Sequence, residues 1–490
     1  LGSFDLIRFL PEGVILLFAL VLLFVQGVKP DAHRTITGMG LAGGVLALAA
    51  LCLVGAKNGG PAAMLVPDAF SVYFRGLVLV GLILTLLFAH RTTEIGRGIY
   101  GEFVVLLMFF YLGAALTVMA SNVLVLYLGI ESLSIASYVC VAMNFGNKRS
   151  AEAGVKYVIF GAVCSALMLF GISLLYGMTG GLQFESIAKV LAAGTIGNAR
   201  ADAMLLVTML IFAGFLYKVA AAPFHAWAPD AYEGGPTPFI ALLSTASKAI
   251  GFAAMVRLFL VVFPVNASTG ATGVYWPLIA GCVAAVTMTW GNVAALAQTS
   301  VKRMLAYSGI GQAGYLLMVF AAPGNESIRA LLFYLGAYLI MNMGAFFCVQ
   351  TLVDKDGDDD LARFKGLSAR SPLLAVGLTV FLLSLTGLPP FLGFIGKYYL
   401  FAAVIHFGGP WYMALVLVAV ANSVISLFYY VRVVREMFLK EPADGVDTTA
   451  PVTTKLRLAI ITIMALTTVV GGLYWTWLRT LADAGAKLVG

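Results

Sequence analysis

The sequence predicts an all-α polytopic membrane protein of about fourteen transmembrane helices, two of them broken. Three observations carry that expectation. Of 490 residues, 61% are hydrophobic and 11% charged, against about 25% charged in soluble domains. Apolar runs of about 20 residues recur along the chain, the length that crosses the hydrocarbon core as a helix; the strands of a membrane barrel would be shorter and would alternate. Two runs, residues 214–252 and 384–401, are interrupted by proline and glycine, and both carry lysine.

In order, spans are expected at 10–28, 35–55, 73–90, 101–119, 122–144, 151–177 and 202–222, the last with a broken continuation to about 233. Then follow 237–263, 275–297, 302–321, 327–353, 372–405 (interrupted at Pro389-Pro390), 410–437 and 456–479. No short apolar stretch with a small-residue cleavage site stands apart from a full span, so no removable signal peptide is expected.

Alternate loops carry 17 basic residues, including Lys29, Arg91, Lys148, Lys302, Lys355 and Arg432; the opposite side carries eight, Arg8, Lys57, Arg75, Lys189, Arg200, Arg329, Arg479 and Lys487. The positive-inside rule makes the basic side cytoplasmic and puts both termini outside. Five cations then fall inside spans: Lys156, Lys218, Lys248, Arg257 and Lys397. Residues 354–370 read as a charged, solvated loop, with a docking surface for a partner as the alternative, and 442–451 as a flexible one.

Composition also excludes function classes. The net charge of +7 is spread over loops, so no nucleic-acid surface is expected. Five cysteines form no CxxC, and four histidines are scattered. No haem, iron–sulfur or nucleotide motif is present, so any redox cofactor is expected in partner subunits.

The chemistry is expected around the breaks. Lys218 and Lys248 flank Pro223, Pro229, Pro236, Pro238, Asp230 and Glu233. A lysine at a helix centre costs roughly 2.5–3.5 kcal/mol on insertion scales and is usually functional. Lys397 lies seven residues after Pro390 in the second break. Paired interrupted helices point to a transport site in an inverted-repeat fold, although here the lysine sits on opposite sides of the two breaks.

Glu131 is mid-span and needs a cation; Lys156 and Lys218 are the candidates, and Ser134 and Ser137 can hold water. A purely structural Glu–Lys pair is the alternative. Lys218 and Lys248 are read as proton carriers, with Lys397 ending the path. Lys156 either takes part or snorkels. His225 either relays a proton between Lys218 and Lys248 or bonds structurally. Asp230 and Glu233 either gate an entry or hold loop backbone. Gln312 does not titrate and can only orient water between Lys248 and Lys397. Arg257 is read as structural, and Lys302-Arg303 as a topology anchor.

The stretches PFHAWAPDAYEGGPTPFIALLSTASKAIGF, QTSVKRMLAYSGIGQAGYLL and SLTGLPPFLGFIGKYYLF resemble the antiporter-like membrane subunits of respiratory complex I and of Mrp-type cation/proton antiporters. The resemblance covers nearly the whole chain. The PFHAWAPDAYEGGPTP form of the break, RFKGLSARSP and the early PEG are most similar to the N-type branch of bacterial NADH–quinone oxidoreductase. It implies an N-terminal three-helix segment (1–100), two inverted five-helix repeats (101–263 and 275–440, broken near 220–233 and 389–390) and a C-terminal loop and last helix (441–490). It also implies a Glu131–Lys218 pair, a central Lys248 and a Lys397 exit. FMN, iron–sulfur clusters and quinone would belong to partner subunits of the membrane and redox arms, with lipids around the chain, in a bacterial inner membrane. N-type sequences often carry histidine where Gln312 stands; the glutamine weakens a histidine relay between Lys248 and Lys397 and leaves a water path open. The rival expectations are a subunit of an Mrp-type exchanger and a non-pumping scaffold.

Overall fold

The computed structural model describes residues 6–56, 64–193, 201–263, 276–441 and 454–487. Lys57, Arg200 and residues 442–451, on which expectations were placed, lie outside these. Among the described residues twenty α-helices follow one another, and there is no β-strand beyond isolated bridges. The helices are α1 Leu10–Val28, α2 His33–Val54, α3 Ala69–Ala89, α4 Tyr100–Met119, α5 Val123–Val141, α6 Lys148–Thr179, α7 Phe184–Ala192, α8 Ala201–Val219, α9 Trp227–Gly234 and α10 Thr237–Leu242. They continue as α11 Lys248–Met255, α12 Trp276–Leu296, α13 Val301–Ala321, α14 Asn325–Asp356, α15 Leu367–Arg370, α16 Pro372–Thr386, α17 Leu392–His406, α18 Pro410–Leu439, α19 Lys455–Leu473 and α20 Thr476–Gly485.

Twelve helices among the described residues are long and apolar enough to cross a membrane. With α8 and the α16–α17 tandem they make the fourteen crossings expected of this multi-pass membrane protein. The third begins at Ala69, four residues earlier than its hydropathy suggests, because the Asp68 side chain caps it by accepting from Ser71 N–H. Leu17, Phe24, Ile159, Phe170, Leu417, Phe428 and Leu473 are exposed, an apolar surface suited to lipid. By contrast, α10, α11 and nearly all of α13 and α14 are buried in the middle of the bundle. A π-helical turn, Leu243–Ser247, joins α10 to α11, and another, Val256–Leu260, follows α11.

The internal repeat is visible in backbone detail. Asn122 caps α5 and bridges to Gln183; Ser300 caps α13 and bridges to Asp360. Val123 N–H bonds Leu182 O as Val301 N–H bonds Asp359 O. The intervening α6 and α14 are both 32 residues long and end on left-handed glycines, Gly180 and Gly357. Each break then has a positive-φ residue followed two positions later by a cis X–Pro bond: Ala220 before Ala222-Pro223, Gly387 before Pro389-Pro390.

These landmarks align the two halves. Nine and twelve residues beyond the cap, Glu131 matches Gly309 and Ser134 matches Gln312. Around the break, Lys218 matches Leu385 and Asp230 matches Lys397. The repeat keeps the scaffold and exchanges the chemistry.

Freed backbone at the breaks is satisfied by side chains, as it must be where water is scarce. Trp227 Nε1 donates to Tyr217 O at 3.1 Å, and Thr287 Oγ1 accepts from Ala222 N–H at 3.1 Å. In the second break Lys397 and Gln312 take over, donating to Thr386 O and Leu385 O.

Candidate functional site: a row of buried lysines

Three lysines lie deep in the bundle, Lys218 4%, Lys248 2% and Lys397 3% exposed. None meets a carboxylate of the described residues within 4 Å, and their partners are neutral oxygens. Lys218 Nζ donates to Ser134 Oγ at 2.9 Å. Lys248 Nζ donates to Gly309 O and lies 5.7 Å from the Tyr338 ring centre. Lys397 Nζ donates to Thr386 O at 2.9 Å and Ser423 Oγ at 3.1 Å, over the Tyr315 ring at 4.4 Å. Hydroxyls and amides fill the row: Asn342 Nδ2 donates to Ser244 Oγ at 2.8 Å, Tyr334 donates to Gln312 Oε1, and Ser308 pairs with Tyr430.

Other buried cations differ in kind. Arg257 grips both oxygens of Asp68 at 2.6 and 2.7 Å. Arg75 binds Glu12 at 2.7 Å, and Arg457 binds Asp354 at 2.8 Å. Removing either member of such a pair strands a buried charge, so each is tied to a fixed charged partner. The three lysines have no such constraint, and their oxygen partners accept a hydrogen bond without fixing a charge.

Several sequence expectations need correction. Glu131 makes no ion pair with Lys218. Its Oε1 accepts from Ser165 Oγ at 2.7 Å, and Ser165 in turn pairs with Tyr127 at 2.9 Å. Lys156 does not serve Glu131 either. It is 41% exposed and binds Asp230 at 2.7 Å and Glu152 at 2.6 Å. His225 joins neither lysine: its ring lies 5.6 Å from that of Trp290, and its buried Nδ1 has no hydrogen-bond partner among the described residues. Arg257 is buried and structural.

Lys302-Arg303 is more than a topology anchor. Lys302 is buried against Glu94 at 3.3 Å and donates to Gly235 O at 3.0 Å, while Glu94 also accepts from Thr237 N–H at 2.8 Å, capping α10. Arg303 binds Asp230 at 2.6 Å and Glu233 at 2.9 Å. Burial alone would raise the Asp230 carboxyl, but hydrogen bonds and charge from Lys156 and Arg303 hold it below its ordinary value.

Sequence reading missed Ser165, Ser423, Tyr334, Tyr338 and Asn342. A signal existed for the last three: Tyr334, Tyr338 and Asn342 recur every four residues, a polar stripe on one face of an apolar helix. Among the described residues no group of three or more His, Cys, Asp or Glu is placed to hold a metal ion.

This geometry can be set beside known proteins. Residues 120–426 match the family described as NADH:quinone oxidoreductase/Mrp antiporter, TM. The chain belongs to that family. Subunit N of NADH–quinone oxidoreductase from Anaeromyxobacter sp. (strain Fw109-5) is 39% identical over 97% of this chain and 94% of its own length. A subunit N from Sorangium cellulosum (strain So ce56) is 39% identical over 96% and 95%. A chain of respiratory complex I from Thermus thermophilus superposes with a TM-score of 0.78 at 28% identity, covering 96% of this chain and 99% of that one. A chain of the Mrp complex from Dietzia sp. shares the fold, with a TM-score of 0.81 at 20% identity and coverage of 98% and 97%. The family match begins just before α5 and ends within α18, so it contains Glu131, Lys218, Lys248, Lys397 and both breaks.

Proposed function

We propose that this chain is a proton-translocating membrane-arm subunit of a bacterial NADH–quinone oxidoreductase. The observation that carries the reading is the row of three buried lysines held by neutral oxygens, the first of them bonded to Ser134, one turn from Glu131 on α5. When Glu131 moves or loses its charge, Lys218 releases its proton toward Lys248, and the charge passes on toward Lys397 through the Tyr334–Gln312 pair and the water it orients. Moving one charge across the full field needs about 2.3 kcal/mol per 100 mV, comparable to a shift of one or two pKa units at about 1.36 kcal/mol each. FMN, iron–sulfur clusters and quinone chemistry belong to partner subunits, which drive the cycle through contacts with this chain. Lysine and arginine asymmetry supports a cytoplasmic basic end and periplasmic termini in the inner membrane.

The identities of 39% are to quinone oxidoreductase subunits, whereas the likeness to the Mrp complex is one of fold; the redox-driven reading is therefore preferred. The test replaces Lys218, Lys248, Lys397 or Glu131 by alanine in assembled complex and measures proton uptake per NADH oxidised in sealed vesicles. Loss of coupled transport with assembly retained is expected for each. Four fully coupled variants would leave only the scaffold reading.

A further inference from the structure

One face of α6 runs unbroken from water to Glu131. Ala153, Tyr157, Gly161 and Ser165 are spaced four residues apart and so stack along one side of the helix, spanning about 18 Å. Ala153 lines a cavity of about 190 Å³ together with Arg149, Glu152, Asp230, Glu233 and Arg303. Arg149 and Glu152 are largely exposed, so the cavity opens at the basic end. At the far end Ser165 donates to Glu131. Between them, a Cβ at Gly161 would lie 2.0 Å from the Tyr138 hydroxyl and 2.6 Å from that of Tyr217. The absent side chain is what lets these two hydroxyls approach each other to 3.4 Å.

Tyr157 closes the row. Its ring stacks on Trp227 of α9 at 4.3 Å between centres and 14° between planes, and both are buried. The ion pair of Lys156 with Asp230 joins the same two helices. Lys156 adjoins Tyr157, and Asp230 follows Trp227 by about one turn. The contact thus has two rungs, a charged one toward water and an aromatic one toward Lys218. The charged rung is partly exposed, 41% and 25%, and a pair in such surroundings is weak, unlike the enclosed Arg257–Asp68 pair. Arg303 holds the other Asp230 oxygen, tying the rung to α13, the helix of Gln312. α9 is eight residues long and follows a break, so it can tilt without unwinding a long helix.

We propose that α6 and α9 form a gated access path for water and protons from the basic end to Glu131 and Lys218, with the Tyr157–Trp227 stack as gate and the Lys156–Asp230 pair as its latch. The path serves the relay proposed above and rests on that reading only for what it feeds. Asp230 and Lys156 are positioning residues: they hold the gate and do not themselves deliver a proton to Glu131.

Cys164, one turn beyond Gly161 on the same buried face and 2% exposed, is a native reporter. Assembled complex in sealed vesicles with the basic end outward is treated with a charged, membrane-impermeant methanethiosulfonate, and modification of Cys164 is followed by mass spectrometry. Asp230→Ala and Trp227→Ala should each raise the rate at least tenfold, while Lys156→Arg stays within twofold of the native chain. If Asp230→Ala does not assemble, Lys156→Ala opens the same latch from the other side. Rates that rise less than twofold overturn the proposal, as does an equal rise with reagent on the opposite face, which reports general loosening. Lys218→Ala in the same vesicles separates the two readings: normal pumping there sinks the relay whatever Cys164 does, and lost pumping with an unreactive Cys164 in the latch variants sinks the gate alone.

Discussion

The ammonium of Lys248 hydrogen-bonds the backbone carbonyl of Gly309, at the position in α13 that matches Glu131 in α5. In one half of the repeat the site carries a carboxylate; in the other it offers a bare carbonyl to a lysine from a central helix. A charged partner would fix Lys248, whereas a carbonyl orients it and leaves its charge free to change.

That relationship predicts the effect of a single methyl group. A Cβ at Gly309 would lie 3.2 Å from both Lys248 Nζ and the Tyr338 hydroxyl. Gly309→Ala should therefore push the ammonium off its carbonyl. Misplacement of a reacting group by about 1 Å can cost about 100-fold, so proton transport per NADH should drop at least severalfold in complex that still assembles. Vesicle acidification against NADH consumption checks it; native coupling would show that the contact is not used.

Gly387 presents a second case. Its φ is +90°, and an added Cβ would meet Lys397 Cδ at 2.8 Å. An L-residue in left-handed backbone costs roughly 1–2 kcal/mol, and the flexible lysine would yield as well. Gly387→Ala should lower thermal stability modestly and coupling strongly. An equal loss of both would make the effect merely structural.

The Asp68–Arg257 pair serves stability. Arg257→Ala leaves a buried carboxylate, a loss of about 3–5 kcal/mol, and should reduce assembled complex sharply. Arg257→Met combined with Asp68→Leu should recover much of it, since an apolar pair of similar volume often suffices. Quantifying intact complex by native gel separates the two outcomes.

The depressed Asp230 carboxyl sets a pH signature. A group whose folded pKa lies below its unfolded value stabilises above the unfolded value, and that contribution disappears as pH falls through the folded one. The unfolded reference is 3.8. The difference in thermal stability between the native chain and Asp230→Asn should therefore be constant through neutral pH and shrink only below that value. A difference that fades near neutrality would mean that Lys156 and Arg303 do not hold the carboxylate ionised.

Hydropathy alone determined the number of crossings, because each membrane helix must satisfy its own backbone and bury its surface in lipid or in its neighbours, and both demands are local. The breaks were legible for the same reason: proline and glycine mark them wherever they fall. Lys218, Lys248 and Lys397 stood out because a lysine inside an apolar run is costly in any context. Partners were a different matter. Nothing local distinguishes Lys156, which reaches Asp230 at 2.7 Å, from Lys218, which finds only a serine hydroxyl; nor could spacing show that Glu131 rests on Ser165 or that Lys302 is buried against Glu94. These contacts join residues 34 to 208 positions apart. They depend on which helices pack side by side and on how each is rotated, and the whole bundle settles that together.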